Sequence, residues 1–329
     1  MSEQSDGVLH LPARDIPVPT SVSPEAQSVL SMGRLGPPAG DPPALDDVAG
    51  WKAYVAEADG FMRTMLPERP AGFTGSIDER TVGECTVYVA TPEGVGADDR
   101  PVYLDIHGGA WILGGGDLCR RTAAMGSLQT GARTWGLDYR MPPEHPYPTP
   151  LDDCVATYRA LLDERRPEEI IVGGTSAGGN LAGALVVRAR DEGLPLPAAV
   201  VINTGAFDLT GASDSHQTNR GLDNLLEGGD SSQMELYAGG QPLDHPYISP
   251  LHADLAGFPP TILLTGTRDL LLSDNVRMHR ALRRAGVDAE LHVWEAAAHG
   301  GFLGMAPEDQ ERMGEMRRFC DQHWATVAA

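Results

Sequence analysis

The fold of this 329-residue chain is indicated most clearly by one segment, Gly173-Gly174-Thr175-Ser176-Ala177-Gly178-Gly179-Asn180. It follows the apolar run 170–172 and contains the pentapeptide G-x-S-x-G, with Ser176 at its centre. This pattern is typical of a sharp strand-to-helix turn, because glycines at 174 and 178 let the turn close around an exposed serine hydroxyl. Apolar residues after Asn180 predict a helix whose N-terminus points at that hydroxyl. Alone, the motif also fits a helix-start turn without chemistry.

A second glycine segment, His107-Gly108-Gly109-Ala110-Trp111, lies upstream and follows the strand-like run 102–106. Small residues after a strand expose consecutive backbone N–H groups, which, together with the N–H of the residue after a nucleophilic serine, form an oxyanion hole for acyl transfer. A phosphate cradle is the alternative, but the lysine and Ser/Thr of a P-loop are missing, and no G-x-G-x-x-G follows a strand. The expected donors are Gly108, Gly109, Ala110 and Ala177, with Gly109 and Ala177 foremost.

A serine nucleophile needs a base, and the base needs an orienting acid, which follow the serine as acid and then histidine in this type of sheet. Asp269 comes directly after the predicted strand 260–265, and His299 comes after the predicted strand 289–294. Both therefore lie at the C-terminal ends of strands, where the active sites of open α/β sheets are found. We assign Ser176 as nucleophile, His299 as general base and then acid, and Asp269 as the carboxylate that fixes the histidine tautomer.

Other candidates for these roles are weaker. His292 alternates within a strand and reads as a packed or edge histidine, and His145 lies in a proline-rich loop. Asp274 stands before the predicted helix 276–285, where a carboxylate usually caps the N-terminus. Lys52 is the only lysine in the chain, so a Ser-Lys dyad or a Schiff base has a single, distant candidate.

Composition limits the classes of function. The net charge of −21 argues against nucleic-acid and anionic-membrane binding, which need basic patches. No run approaches the roughly 18 apolar residues of a membrane span, and the acidic start of the chain has neither the basic start nor the apolar core of a signal peptide. Scattered cysteines and histidines, without H-E-x-x-H, predict no metal and no cofactor. We expect a cytoplasmic protein; its acidity fits either solubility or a saline habitat.

Strand-like and helical segments alternate from about residue 81 onward. Their apolar runs predict an α/β fold with a mostly parallel central sheet flanked by helices. The predicted strands are 86–90, 102–106, 133–137, 169–172, 198–202, 260–265 and 289–294. Before them, the spacing of apolar residues predicts an amphipathic helix over 44–66. Residues 1–43, with many Pro and Gly, are expected to be extended or partly mobile.

Taken together, these motifs resemble the bacterial hormone-sensitive-lipase-type esterases of the α/β-hydrolase superfamily, in the subgroup with G-T-S-A-G. The resemblance runs from about residue 100 to 302. One departure stands out, because the family's H-G-G-G has Ala110 in place of its last glycine, and a positive φ there would strain an alanine. The residues that carry the resemblance are His107-Gly108-Gly109, Asp138-Tyr139-Arg140, Pro143-Glu144-His145-Pro146, Gly174-Thr175-Ser176-Ala177-Gly178-Gly179-Asn180, Asp269 and His299.

The resemblance implies an α/β-hydrolase fold with a helical cap. Residues 1–70 would form an N-terminal cap segment, 71–329 the catalytic domain, and 205–247 within it a second cap segment. The apolar face of the helix at 44–66 fits a pocket wall or simple core packing equally well. Because all strands that carry the triad follow residue 100, we expect deletion of 1–43 to leave Ser176, Asp269 and His299 assembled.

The predicted function is cofactor-independent hydrolysis of short- to medium-chain carboxylic esters through a Ser-His-Asp triad and an acyl-enzyme. The expected partner is a small-molecule ester, with no nucleic acid and no membrane span, and a homodimer is left open. Two alternatives remain. An amidase or deacetylase would use the same triad, whereas a ligand-binding protein on this fold, like the plant hormone receptors that resemble these esterases, would have lost a triad member.

Overall fold

A computed structural model of the chain describes Leu9, residues 11–36 and residues 40–325. A single eight-stranded sheet runs through it in the order β1-β2-β4-β3-β5-β6-β7-β8. The first strand pairs antiparallel with the second, and the second antiparallel with the fourth; every other pairing is parallel. The strands are β1 (Gly75–Val82), β2 (Cys85–Pro92), β3 (Val102–Ile106), β4 (Arg133–Asp138), β5 (Ile170–Thr175), β6 (Ala199–Asn203), β7 (Thr261–Gly266) and β8 (Ala289–Trp294). The predicted fold class is confirmed.

All seven predicted strands are present, and the eighth, β1, was missed. Its sequence, GSIDERTV, is mostly exposed and carries no apolar run, because it is an edge strand that only β2 covers. Central strands such as β7 are buried along their whole length, which is why they read as continuous apolar segments.

Helices cover both faces of the sheet. The described part of the chain contains α1 (Pro24–Ser31), α2 (Val48–Met65), α3 (Asp117–Thr130), α4 (Thr149–Leu162), α5 (Ala177–Asp191), α6 (Ser215–Thr218), α7 (Ser232–Ala238), α8 (Leu272–Arg284) and α9 (Pro307–Ala325). Helices α4, α5 and α8 pack on one face of the sheet, and α3 and α9 pack on the other. None of the helices within the described ranges is both long and apolar enough to cross a membrane.

The expectation that residues 1–43 are extended or partly mobile is wrong for part of this segment; residues 1–8, 10 and 37–39 lie outside the described residues. Helix α1 begins after Ser23, whose Oγ accepts a hydrogen bond from the N–H of Ala26, with Pro24 as its first residue. Serine before proline is a typical helix start. Val22, Ala26 and Val29 pack against the segment 296–306, which contains His299.

The predicted amphipathic helix is α2, which begins at Val48 rather than 44 because Asp47 caps it through the N–H of Gly50. Its buried Trp51 and Ala58 form one cluster with Ile112 and Leu113, which follow the second glycine segment, and with Leu236 of α7. Helix α2 and the 205–247 segment therefore meet beside the glycine loop.

Candidate active site

Ser176 lies in a strained turn between β5 and α5. Its backbone has φ 57° and ψ −118°, a region that side-chain-bearing residues rarely adopt. A Cβ at Gly174 would come within 2.4 Å of the backbone of Gly178, and a Cβ at Gly178 within 1.8 Å of the carbonyl oxygen of Ile106. The turn therefore requires both motif glycines, as the sequence predicted, and it places Ser176 at the N-terminus of α5.

The loop 107–113 lies directly against this turn. A Cβ at Gly108 would be 2.8 Å from the carbonyl oxygen of Thr175 and 3.3 Å from the Cβ of Ser176. Among the described residues, no hydrogen bond uses the backbone N–H of Gly108, Gly109, Ala110 or Ala177. These four N–H groups are therefore available to a ligand near Ser176, and Ala177, as the first residue of α5, has no partner within its helix.

Buried side chains hold the 107–113 loop in place through hydrogen bonds and ring stacking. The neutral His107 ring places Nδ1 2.8 Å from the carbonyl oxygen of Gly108 and stacks on Tyr139 at 4.3 Å between ring centroids. Burial lowers the pKa of His107 to about 4, so the ring stays uncharged. Tyr139 donates from its hydroxyl to the carbonyl oxygen of His107. On the other side, Trp111 donates to Asn180 Oδ1 at 3.2 Å and stacks on Tyr237 of α7.

Ala110 has φ 51° and Trp111 has φ 63°, so the family's glycine is replaced at a position that does need a positive φ. The alanine methyl therefore adds strain at this point, as anticipated.

We expect Gly109→Ala to lower kcat/KM by roughly 10²- to 10³-fold, the loss typical of one misplaced oxyanion donor. Gly109 has φ 121°, and its added Cβ would be 2.2 Å from the carbonyl oxygen of Leu113, so the loop must shift. The matched control is Gly83→Ala, which also has a positive φ but has open space around it. Steady-state kinetics on both variants, with thermal melting as the folding check, tests this. Equal activities of the two variants would show that the loop supplies no donor.

The structure brings Asp269 and His299 together at the ends of β7 and β8. His299 Nδ1 lies 3.1 Å from Asp269 Oδ1, and both side chains are buried. The same Asp269 oxygen accepts from the N–H of Leu271 at 2.9 Å, and the other accepts from Thr265 Oγ1 at 2.7 Å. An ionised carboxylate can only accept hydrogen bonds, so the contact with Asp269 favours a proton on Nδ1 of His299. In the neutral ring, Nε2 is then unprotonated.

Burial favours the neutral form of each partner, lowering the pKa of His299 and raising that of Asp269. The charge attraction and hydrogen bond between the two outweigh burial. As a result, the pKa of His299 lies above its ordinary value and the pKa of Asp269 lies below its own. A second buried carboxylate, Asp223, also raises the pKa of His299, and Arg312 lowers it.

Thr204, at the end of β6, is a site residue that the sequence analysis missed. Its buried Oγ1 lies 2.8 Å from His299 Nδ1 and 3.4 Å from Nε2, and its φ of 45° is unusual for a β-branched residue. No sequence motif contains Thr204. The one available signal was its position just after the predicted strand 198–202, because the neighbouring predicted strands are followed by the other candidate residues.

The end of β6 also connects the serine turn to the histidine. Asn203 accepts at its carbonyl oxygen from the N–H of Ser176 at 2.8 Å, and the next residue, Thr204, contacts the His299 ring. Among the described residues, no hydrogen bond joins the ring to Ser176. In structures without substrate, such catalytic hydrogen bonds are often long and tighten only when substrate binds.

The interpretation of Asp274 as a cap of its own helix is wrong. Asp274 lies in the first turn of α8, but its buried carboxylate accepts from the N–H groups of Phe207 and Asp208 and from Ser213. It holds a different segment of the chain. His292 is on the edge strand β8 and contacts Glu290, as expected of an edge histidine.

Within the described ranges, two groups of side chains have ligand-type atoms within 4.8 Å of one another: His107, Cys119 and Asp138, and Asp223, Asp269 and His299. The second group contains the paired acid and histidine, whose atoms are occupied by hydrogen bonds. A cleft of about 620 Å³ between α2 and the 138–144 loop lies beside the site and is lined by Asp59, Asp138 and Arg140, but not by Ser176 or His299.

Comparisons with known proteins agree with this geometry. A family described as alpha/beta hydrolase fold matches residues 103–303. An acetyl-hydrolase of Streptomyces hygroscopicus is 35% identical over 224 residues, covering 68% of this chain and 74% of that protein. Carboxylesterase NlhH of Mycobacterium tuberculosis is 32% identical over 264 residues, covering 72% and 80%.

Solved structures of esterases also align with this chain. The crystal structure of esterase E25 aligns with a TM-score of 0.86 at 33% identity, over 96% of this chain and 99% of that one. An esterase from the bacterial hormone-sensitive lipase family aligns with a TM-score of 0.81 at 31% identity, over 92% and 99%. The chain therefore belongs to the α/β-hydrolase family, as an esterase of the bacterial hormone-sensitive-lipase type.

Proposed function

We propose that this enzyme hydrolyses short- to medium-chain carboxylic esters through an acyl-enzyme on Ser176, with His299 as base and acid and Asp269 as its orienting carboxylate. The observation that carries the proposal is the buried Asp269–His299 pair on the same sheet edge as the strained serine turn. The experiment is a panel of esters graded from C2 to C10, with the anilide of the preferred acyl group alongside. Faster turnover of the anilide than of the matched ester would favour an amidase instead.

In the proposed mechanism, His299 Nε2 takes the proton of Ser176 as the serine oxygen attacks the ester carbonyl. The N–H groups near Gly109 and that of Ala177 stabilise the oxyanion of the tetrahedral intermediate. His299 then gives the proton to the leaving alcohol, and water repeats both steps on the acyl-enzyme. Asp269 stays ionised throughout, which its low pKa supports.

The pH dependence follows from the histidine. His299 must be neutral to accept the serine proton, so kcat/KM is expected to rise with pH through one ionisation. Because the pKa of His299 is raised, the midpoint should lie above the ordinary histidine value of about 6.5 rather than at it. The measurement is kcat/KM from about pH 5 to about pH 9, which includes the range of about pH 5 to 8 in which histidine side chains titrate. A midpoint below the ordinary value, or a loss of activity with chelator that zinc restores, would contradict the mechanism.

We also propose that α2 and the 205–247 segment form a cap that selects the acyl chain. In support, Met62 of α2 packs in the cluster that joins Ala110 to Leu236. Met65, one turn further along the same helix, is 46% exposed.

Met62→Ala should change the ratio of kcat/KM for long and short acyl chains by roughly tenfold, since a methylene against an apolar wall is worth about 1–3 kcal/mol. Met65→Ala is the control and should keep the native ratio. Both variants are compared on C2 to C10 esters. Identical chain-length profiles for Met62→Ala and the native enzyme would remove α2 from substrate selection.

Two further attributes are proposals. The four cysteines are all buried and free, which supports a reducing, cytoplasmic location. A homodimer is supported only by the position of β8 at the edge of the sheet, because edge strands can pair with a strand of a second copy. Light scattering of the purified protein distinguishes monomer from dimer.

A further inference from the structure

Asp223 is a buried carboxylate that the proposed mechanism does not use. It lies in the 205–247 segment, between α6 and α7, and is 6% exposed. Its Oδ1 accepts from the N–H groups of Leu225 and Leu226, at 2.9 and 3.1 Å, and so shapes its own loop. Its Oδ2 leaves that loop and accepts from the N–H of Leu270 at 2.8 Å and from the N–H of His299 at 3.3 Å.

One oxygen atom of Asp223 therefore joins the two loops that carry the acid and the base. Leu270 is the residue after Asp269, so the hydrogen bonds of Oδ2 fix the spacing between the backbones of the triad acid and histidine. Asn219 of the same segment adds two bonds, donating from Nδ2 to the carbonyl oxygens of Thr267 and Asp269 at 3.2 and 2.8 Å. The 205–247 segment therefore hydrogen-bonds to the backbone of both loops, the one that carries Asp269 and the one that carries His299.

The charge of Asp223 also acts on the histidine ring. Ligand-type atoms of Asp223, Asp269 and His299 all lie within 4.8 Å of one another. The ionisable groups that act on this ring are Asp269 from the end of β7, Asp223 from the 205–247 segment, and Arg312 from α9. Burial and the charge of Asp269 raise the pKa of Asp223, whereas the positive charge of a protonated His299 and the backbone N–H groups of Leu270 and Leu225 lower it. Asp223 accepts four backbone N–H bonds in all, and these bonds favour its ionised form.

We propose that Asp223 is a positioning residue for the reaction: it holds the His299 and Asp269 loops in register and stabilises the imidazolium that forms when Ser176 attacks. This inference rests on the proposed function. It assigns a second role to the 205–247 segment, which then supports the catalytic histidine as well as shaping the pocket.

The test is Asp223→Asn, with Asp230→Asn as the matched control. Asp230 is in the same segment and is exposed, and its carboxylate accepts from the N–H and the hydroxyl of Ser232, so the control removes an equal charge without changing a contact of Asp269 or His299. An asparagine at 223 keeps one carbonyl oxygen and cannot accept from both pairs of N–H groups. We expect kcat to fall by about ten- to a hundredfold, the size of a misplaced catalytic group. Because a negative charge beside the ring is lost, the pKa of His299 should fall.

A purely structural role would lower activity or stability without moving that pKa, so the pKa is the deciding readout. It is measured twice: from the pH profile of kcat/KM, and by NMR titration of the His299 ring in the Ser176→Ala background, where no turnover is needed. The expected result is a lower midpoint in both for Asp223→Asn and an unchanged midpoint for Asp230→Asn.

A folded Asp223→Asn protein with the native His299 midpoint would overturn the inference while leaving the proposed function intact. If the variant does not fold, Asp223→Glu takes its place, since it keeps the charge but displaces the carboxylate; native kcat together with a native His299 midpoint in that variant would overturn the positioning role. Absence of ester hydrolysis by the native protein, with the NMR midpoints as expected, would instead overturn the proposed function alone.

Discussion

Replacing Ser176 with alanine is expected to lower kcat for a short activated ester by about a millionfold while leaving the fold intact. The methyl group removes only the hydroxyl, and Ala177 and the glycines of the turn keep their positions. Residual activity would come from the oxyanion donors and substrate binding alone, because Ser176 is the only nucleophile in the proposed mechanism.

Ser76→Ala is the control for this prediction, since Ser76 is exposed on β1 and its hydroxyl donates to the neighbouring Asp78. Both variants are compared with the native enzyme by steady-state kinetics at saturating substrate, with circular dichroism as the folding check. More than a few per cent of native activity in folded Ser176→Ala would place the nucleophile elsewhere.

Asp269→Asn is expected to lower kcat by roughly 10⁴-fold. The amide can donate to His299 Nδ1 instead of accepting from it, which puts the ring in the wrong tautomer, and it no longer balances the imidazolium charge. Asp288→Asn is the control, because that side chain is 73% exposed and pairs with Arg283 rather than with His299. Kinetics of both variants at pH 7 and pH 9 tests the assignment.

Asp274→Asn separates catalysis from folding in the same experiment. Because Asp274 holds the backbone of Phe207 and Asp208, its loss should lower the free energy of unfolding by about 1–3 kcal/mol, the cost of unsatisfied buried partners. Urea unfolding detects this change. If instead Asp274→Asn lost 10⁴-fold in kcat and Asp269→Asn lost little, the acid of the triad would be Asp274.

The features that could be predicted from sequence are those in which the local structure accepts only certain types of residue. The serine turn excludes side chains at Gly174 and Gly178, so the fold is visible in the sequence around Ser176. Buried parallel strands such as β5 and β7 are apolar on both faces and read as runs. The acid and histidine follow such runs, and chain order separates them from other candidates.

The features that were missed depend on contacts between segments far apart in sequence. Thr204 and Asp223 reach His299 from the end of β6 and from the 205–247 segment, and nothing in their local sequence indicates this. The edge strand β1 has polar residues on both faces. Asp274 looks like a helix cap because a carboxylate in a first turn usually is one, yet its partners are about 65 residues away.

Contacts between distant segments also change the expectation for deletion of residues 1–43. Helix α1 packs against the segment that carries His299, Ser23 bonds to Glu308 of α9, and Leu35 donates to the carbonyl oxygen of Asn224 beside Asp223. Deleting residues 1–43 is therefore no longer expected to leave Ser176, Asp269 and His299 assembled as in the full chain. Point variants of α2 are the sharper test of acyl selection.

In the proposed mechanism Ser176 carries the acyl group during turnover, and mass spectrometry of the quenched reaction can locate that group on the chain. The native enzyme is mixed with a slowly deacylating ester, stopped in acid and digested, and the peptides are weighed. We expect one acyl group per chain, on the peptide that contains Ser176, and no label in Ser176→Ala. An acyl group on any other residue, or full turnover without label on Ser176, would show that Ser176 is not the nucleophile.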